Sequence, residues 1–79
     1  MKILYLATAG AADPTRASIP LHIAANGSVD EAQECAVVLV GDGTELVSRA
    51  KAEQVEGVGI PPMRELLQKL LDNEVPVYV

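Results

Sequence analysis

Lys2-Ile3-Leu4-Tyr5-Leu6-Ala7-Thr8-Ala9-Gly10-Ala11-Ala12-Asp13-Pro14 is the stretch that decides the fold. Residues 2–8 form a nearly continuous aliphatic run, which suits a strand of a parallel sheet covered on both faces. Small residues 9–12 end the run and make a loop. Asp13-Pro14 then signals a helix start, because Asp can accept from the first free backbone N–H groups and Pro suits the first helical position. A strand that leads directly into a helix opens an α/β chain.

Farther along, Ala17, Leu21, Ala24, Ala25, Val29 and Ala32 recur at helical spacing and predict one long helix over residues 14–32. Pro20 removes a backbone hydrogen bond inside it and predicts a kink. Asn26-Gly27 would suit a turn and offers an earlier end. Residues 35–40, CAVVLV, read as a second buried strand. Gly41-Asp42-Gly43 reads as a sharp turn, with Thr44 capping a short amphipathic helix over 44–54. Residues 55–59 form a loop. After Pro61-Pro62, the residues Met63, Leu66, Leu67, Leu70 and Leu71 mark one face of a third helix. Residues 75–79, VPVYV, start a third strand, with Pro76 near its beginning where it does least harm. The order β-α-β-α-α-β implies a parallel sheet with right-handed crossovers.

The chain has 79 residues, enough for a single domain and near the size at which one core supplies only about 3–5 kcal/mol. Its hydrophobic fraction is 49%, with no Phe or Trp and two Tyr, so the core is built from small aliphatic side chains. One cysteine, Cys35, excludes an internal disulfide, and one histidine, His22, excludes a Cys/His zinc cluster. Oligomerisation is the remaining source of extra stability. A net charge of −5 with six scattered Lys and Arg argues against a nucleic-acid partner. No apolar run approaches membrane-spanning length, and the first residues are too short for a signal peptide. The expected compartment is the cytoplasm, with no membrane partner, no metal and no cofactor.

In open parallel sheets, ligands bind outside the carboxyl ends of the strands. Thr8, Gly10 and Asp13 reach that edge after the first strand, and Gly41, Asp42 and Gly43 after the second. These six are the candidate binding residues, where helix-start amides could hold an anion. The same residues also read as ordinary turns. Cys35 lies at the other end of its strand and reads as a small hydrophobe. His22 lies mid-helix without a paired nucleophile or carboxylate. Arg16 in a first helical turn opposes the helix dipole, which suggests that Asp13 or an anion holds it. No catalytic residue can be assembled from this set.

KILYLATAGAADPTRASIPLHIAANG, EAQECAVVLVGDGTELV and GVGIPPMRELLQKLLDNEVPVYV together resemble the DsrE/DsrF-like (YchN-like) family along the whole chain. The specific parts are DPTRA, IPLHIAANG, VLVGDG-TEL and IPPMRELL…VPVYV. The resemblance implies a three-layer α/β/α sandwich around a mainly parallel five-stranded sheet. It implies homo-oligomers, trimers or hexamers, with paralogous sulfur-relay subunits as further partners. It also implies intracellular sulfur transfer, in which a cysteine thiolate carries persulfide sulfur.

One departure stands out. The resemblance places the reactive cysteine just after the strand equivalent to VPVYV, and no residue here matches it. Residues 1–79 are therefore expected to form a single, incomplete domain of this kind, lacking the sulfur-carrying residue. Three causes of that departure are open at this point: an engineered or proteolytic fragment, a natural short form or gene-calling error, and a UGA codon for selenocysteine read as a stop. The function expected at this point is persulfide relay. The alternatives are a non-catalytic scaffold subunit and a small anion-binding module. The Ile19, His22 and Ile23 side of the first helix is a candidate contact surface.

Overall fold

The computed structural model describes residues 2–79. Three parallel strands form one sheet in the order β1-β2-β3: β1 (Ile3–Ala7), β2 (Cys35–Leu39) and β3 (Val77–Tyr78). Ile3 pairs with Cys35 and Ala7 with Leu39, while Val37 and Val38 pair with Val77 and Tyr78. The expected α/β class with a parallel sheet is thus present, in the expected element order.

Helix α1 (Pro14–Ile23) starts as its sequence dictates, with the Asp13 carboxylate accepting from the Arg16 N–H at 3.2 Å and Pro14 in the first turn. Asn26-Gly27 does not end the helical path. The chain widens instead into a π-helical turn, Ala24–Ser28, closed by the Val29 N–H on the Ala24 carbonyl at 3.0 Å. The path stops at Ala32, whose φ of 55° is left-handed. There the Gln33 N–H reaches the Ser28 carbonyl at 2.7 Å and the Ala32 N–H reaches that of Val29 at 3.0 Å. This pair of bonds is a Schellman stop.

The expected helix over 44–54 is a correction. Residues Gly41–Val47 form a 3-10 helix, Ser48 is extended, and α2 is one turn, Arg49–Ala52. Gly43 is pressed against the Ala7 carbonyl, which pulls the chain into a tight coil as it leaves β2. Thr44 does not cap a helix: its hydroxyl donates back to the Gly41 carbonyl at 2.8 Å. Ser48 takes the capping role for α2, accepting from the Lys51 N–H at a long 3.5 Å.

Helix α3 (Met63–Asp72) follows Pro61-Pro62 and buries Met63, Leu66 and Leu70. Leu71 of the predicted stripe stays exposed. Its end repeats the stop of α1: Glu74 is left-handed at φ 57°, and the Val75 and Glu74 N–H groups reach the Leu70 and Leu71 carbonyls at 2.9 and 3.0 Å.

Both α1 and α3 pack against each other and into one core with Ala7, Val37 and Leu39. Two crossovers of the same hand that step in the same direction across a sheet carry their helices to the same face. The core therefore lies on one side, beneath Ile3, Tyr5 and Ala7 of β1. The other side is bare: Leu4 and Leu6 are each 59% exposed. The expectation that β1 is covered on both faces is corrected accordingly. Among the described residues, the helices supply one of the two outer layers.

Candidate functional site

At the carboxyl edge of the sheet, the loop after β1 and the coil after β2 are drawn together. The Val40 N–H donates to the Ala7 carbonyl at 3.0 Å, and the Gly43 N–H to the Val40 carbonyl at 2.9 Å. Gly10 and Gly43 are both buried at this junction. A β-carbon on Gly43 would strike the Ala7 carbonyl, and one on Gly10 would strike the Glu45 carboxylate and the Asp42 carbonyl. Gly41 takes a left-handed φ of 55°, which lets the chain turn off β2. Sequence order brings all six candidate residues to one edge, and the structure places them there. Their roles differ. Thr8, Asp13, Gly41 and Asp42 are solvent-exposed, whereas the two buried glycines serve close backbone contact.

The residue that sequence reasoning missed is Glu45. Its Oε1 accepts the Ala11 N–H at 3.0 Å, and its Oε2 accepts the Lys51 ammonium at 3.0 Å. The hydrogen bond from Lys51 and then that from the Ala11 N–H hold the Glu45 carboxyl below its ordinary value. An amide of the β1 exit loop thus already binds a carboxylate, one that belongs to the chain itself. The partners are 34 residues apart in sequence, and no local pattern announces the pairing.

Asp13 is occupied twice, by the Arg16 N–H and by the Arg16 guanidinium at 3.7 Å. Asp13 thus provides the expected hold on Arg16. His22 joins a structural network. The Asn26 side-chain amide donates to His22 Nδ1 at 3.1 Å, and Lys69 of α3 donates to Asn26 Oδ1 at 2.8 Å and Asp30 Oδ1 at 2.7 Å. Asn26 sits on the π-helical turn, so this network fastens the turn to α3.

Cys35 lies at the opposite edge of the sheet, 4% exposed. It forms part of the floor of a cleft of about 360 Å³ whose rim includes Lys2, Ala32, Glu34 and Glu74. Cys35 is also packed among the apolar residues of the core, which leaves little of it open to solvent. Among the described residues, no group of three His, Cys, Asp or Glu is placed to hold a metal ion. No helix among them is long and apolar enough to cross a membrane.

Neither the curated proteins nor the solved structures give a match to the chain. The family model described as the DsrE/DsrF-like family matches residues 1–79. The parallel sheet, the Asp13-Pro14 helix start and the glycine-packed strand exits lie within that match, and the chain belongs to the DsrE/DsrF-like family.

Proposed function

We propose that the chain acts in cytoplasmic sulfur handling of the persulfide-relay type, as an oligomer-forming subunit whose own thiol does not carry the sulfur. Family membership over residues 1–79 supports the sulfur-handling part. The observation that carries the second part is the burial of Cys35 in the core, at the amino edge of the sheet. A sulfur carrier must present its thiolate to a donor and then to an acceptor, and a core thiol can do neither without unfolding. The partners under this reading are further copies of the chain or paralogous relay subunits.

The test is a reconstituted relay of cysteine desulfurase, cysteine and a sulfur acceptor protein. Adding the chain should change the rate of sulfur delivery while its own intact mass stays unchanged. No effect on delivery overturns the sulfur-handling role. A gain of one sulfur atom on Cys35 overturns the assignment of that thiol.

A second reading, a small anion-binding module, is favoured by one contact. The Ala11 amide and the Lys51 ammonium together hold a carboxylate. Glu45 supplies it, so an external anion has to displace Glu45 first. Titration of the Glu45→Ala variant with inorganic phosphate, followed by the Ala11 amide resonance, decides this reading. A saturable shift supports it, and an unmoved resonance removes it.

A further inference from the structure

We propose that His22, Asn26, Lys69 and Asp30 form a proton-operated latch, which fastens the π-helical turn to α3 while His22 is neutral and frees it when His22 takes up a proton. Lys69 sets the orientation of the whole network. An ammonium group can only donate. Lys69 Nζ lies 2.8 Å from Asn26 Oδ1 and 2.7 Å from Asp30 Oδ1, so it holds the carbonyl oxygen of the Asn26 amide toward α3. The amide nitrogen is thereby turned toward His22, 3.1 Å from Nδ1.

An amide NH2 also only donates, so Nδ1 has to accept, and the ring proton of neutral His22 is on Nε2. A proton taken from solvent goes to Nδ1. Two donors then face each other. The acceptor that the charged ring needs, Asn26 Oδ1, is held by Lys69. The amide cannot turn over to offer it without setting its NH2 against the ammonium. Protonation of His22 and the Lys69–Asn26 contact therefore exclude one another.

The element that the latch holds is the π-helical turn Ala24–Ser28. Such turns are rare and occur mostly as single turns inside helices, often at functional sites. This one has a weak helix former, Gly27, at its centre and depends on side chains from outside. Inward, the buried Ser28 holds the Tyr5 hydroxyl of β1 at 2.7 Å. Outward, Asn26 is held by α3 through Lys69 and by α1 through His22. Release of Asn26 loosens the joint at which α1, α3 and β1 meet.

The charged groups on this side of the molecule are Asp30, about two turns on along the same path, and on α3 Lys69 with Glu65 one turn before it. The other residues one turn from His22 are Ser18, Ile19 and Ala25, none of them charged. β1 presents the Tyr5 hydroxyl to the turn. The loop that touches α1 does so at Thr15, through the Val58 N–H at 3.0 Å, and its Glu56 pairs with Arg64. Above about pH 5.5 carboxylates are ordinarily ionised, so histidine is the side chain that ordinarily changes charge between there and neutrality.

Hydrogen exchange of the chain tests the latch. The Val29 N–H closes the π-helical turn on the Ala24 carbonyl at 3.0 Å, and the Ala17 N–H, on the Asp13 carbonyl at 2.9 Å, is the reference at the start of α1. Protection factors are corrected for the intrinsic pH dependence of exchange. Between about pH 7.5 and about pH 5.5, Val29 protection should fall about fivefold relative to Ala17, the worth of one hydrogen bond. His22→Gln keeps an acceptor for Asn26 and does not titrate, so its Val29 protection should stay level. Lys69→Met lets the amide turn over and offer Oδ1 to the charged ring, so its protection should start lower and not fall with acid. Nitrogen NMR of the wild-type ring at about pH 8 should place the proton on Nε2. The proposal falls if wild-type protection stays level, if either variant loses as much as the wild type, or if the ring proton is on Nδ1. The ring spectrum requires no variant, so it decides even where Lys69→Met fails to fold.

Discussion

The Glu45 carboxylate accepts the Ala11 backbone N–H at 3.0 Å and thereby ties the exit of the first strand to the exit of the second. Lys51 completes the clamp from α2. Because the Glu45 carboxyl is held below its ordinary value, its charged form is favoured by folding. That contribution is fully present above the unfolded carboxylate pKa and is lost as pH falls through the lower folded one. Urea unfolding of the wild type and Glu45→Gln should differ most at neutral pH. The two stabilities should converge as pH descends through the carboxylate range. A constant gap at all pH values would show that the charge of Glu45 contributes nothing.

Gly43 and Gly10 lie where the two strand exits touch. A β-carbon at Gly43 meets the Ala7 carbonyl, which is backbone and cannot swing aside. Gly43→Ala should cost about 1–3 kcal/mol, the range for forced overpacking. Gly10→Ala faces a partly movable neighbour, the Glu45 side chain, as well as the Asp42 carbonyl. It should cost less, and the loss should shrink further in a Glu45→Ala background. Thermal melts of the three variants check the order.

Ala32 and Glu74 occupy left-handed backbone at φ 55° and 57°, each at the stop of a helical path. Left-handed backbone costs an L-residue about 1–2 kcal/mol, and glycine returns part of that as unfolded-state entropy. Ala32→Gly and Glu74→Gly should each stabilise the fold by about 1 kcal/mol net. Glu74→Gly should gain more, because it also removes a negative charge from the C-terminal end of α3. Denaturant midpoints that rise without a change in slope would confirm both.

Leu70 is fully buried on α3, and Leu71 beside it is 69% exposed. Leu70→Ala should cost about 2–5 kcal/mol, most or all of the stability of a domain this small. Leu71→Ala should stay within about 0.5 kcal/mol of the wild type. Circular dichroism at room temperature separates them, with Leu70→Ala largely unfolded and Leu71→Ala native.

The strands and α3 were legible in the sequence because their signals are local: aliphatic runs at residues 2–8 and 35–40, and a stripe of Met63, Leu66 and Leu70. Asp13-Pro14 fixed the start of α1 for the same reason. The coil after β2 was not legible. Thr44 and the apolar spacing after it favour a helix locally, and the contact between Gly43 and the Ala7 carbonyl overrides that preference from outside the segment. The bare sheet face was hidden for a different reason. Leu4 and Leu6 are as apolar as Ile3 and Tyr5, so the run carries no alternation to say which face is covered. Only the strand order, with both crossovers stepping the same way, decides it. Of the candidate site, the edge was found from topology alone, while Glu45 could not be, since nothing near Ala11 points to it.

Burial of Cys35 has a consequence for kinetics. The Cys35 side chain sits on the core side of β2, in the lining of the cleft at the amino edge of the sheet, and its residue pairs in register with Ile3. A bulky thiol reagent can reach it only when β1 separates from β2 or the helices lift from the sheet. When closing outpaces labelling, the labelling rate divided by that of a free cysteine measures the fraction of time the core stands open. The chain therefore carries a gauge of its own breathing at the central strand. Every variant above can be read from one mass shift without adding a probe.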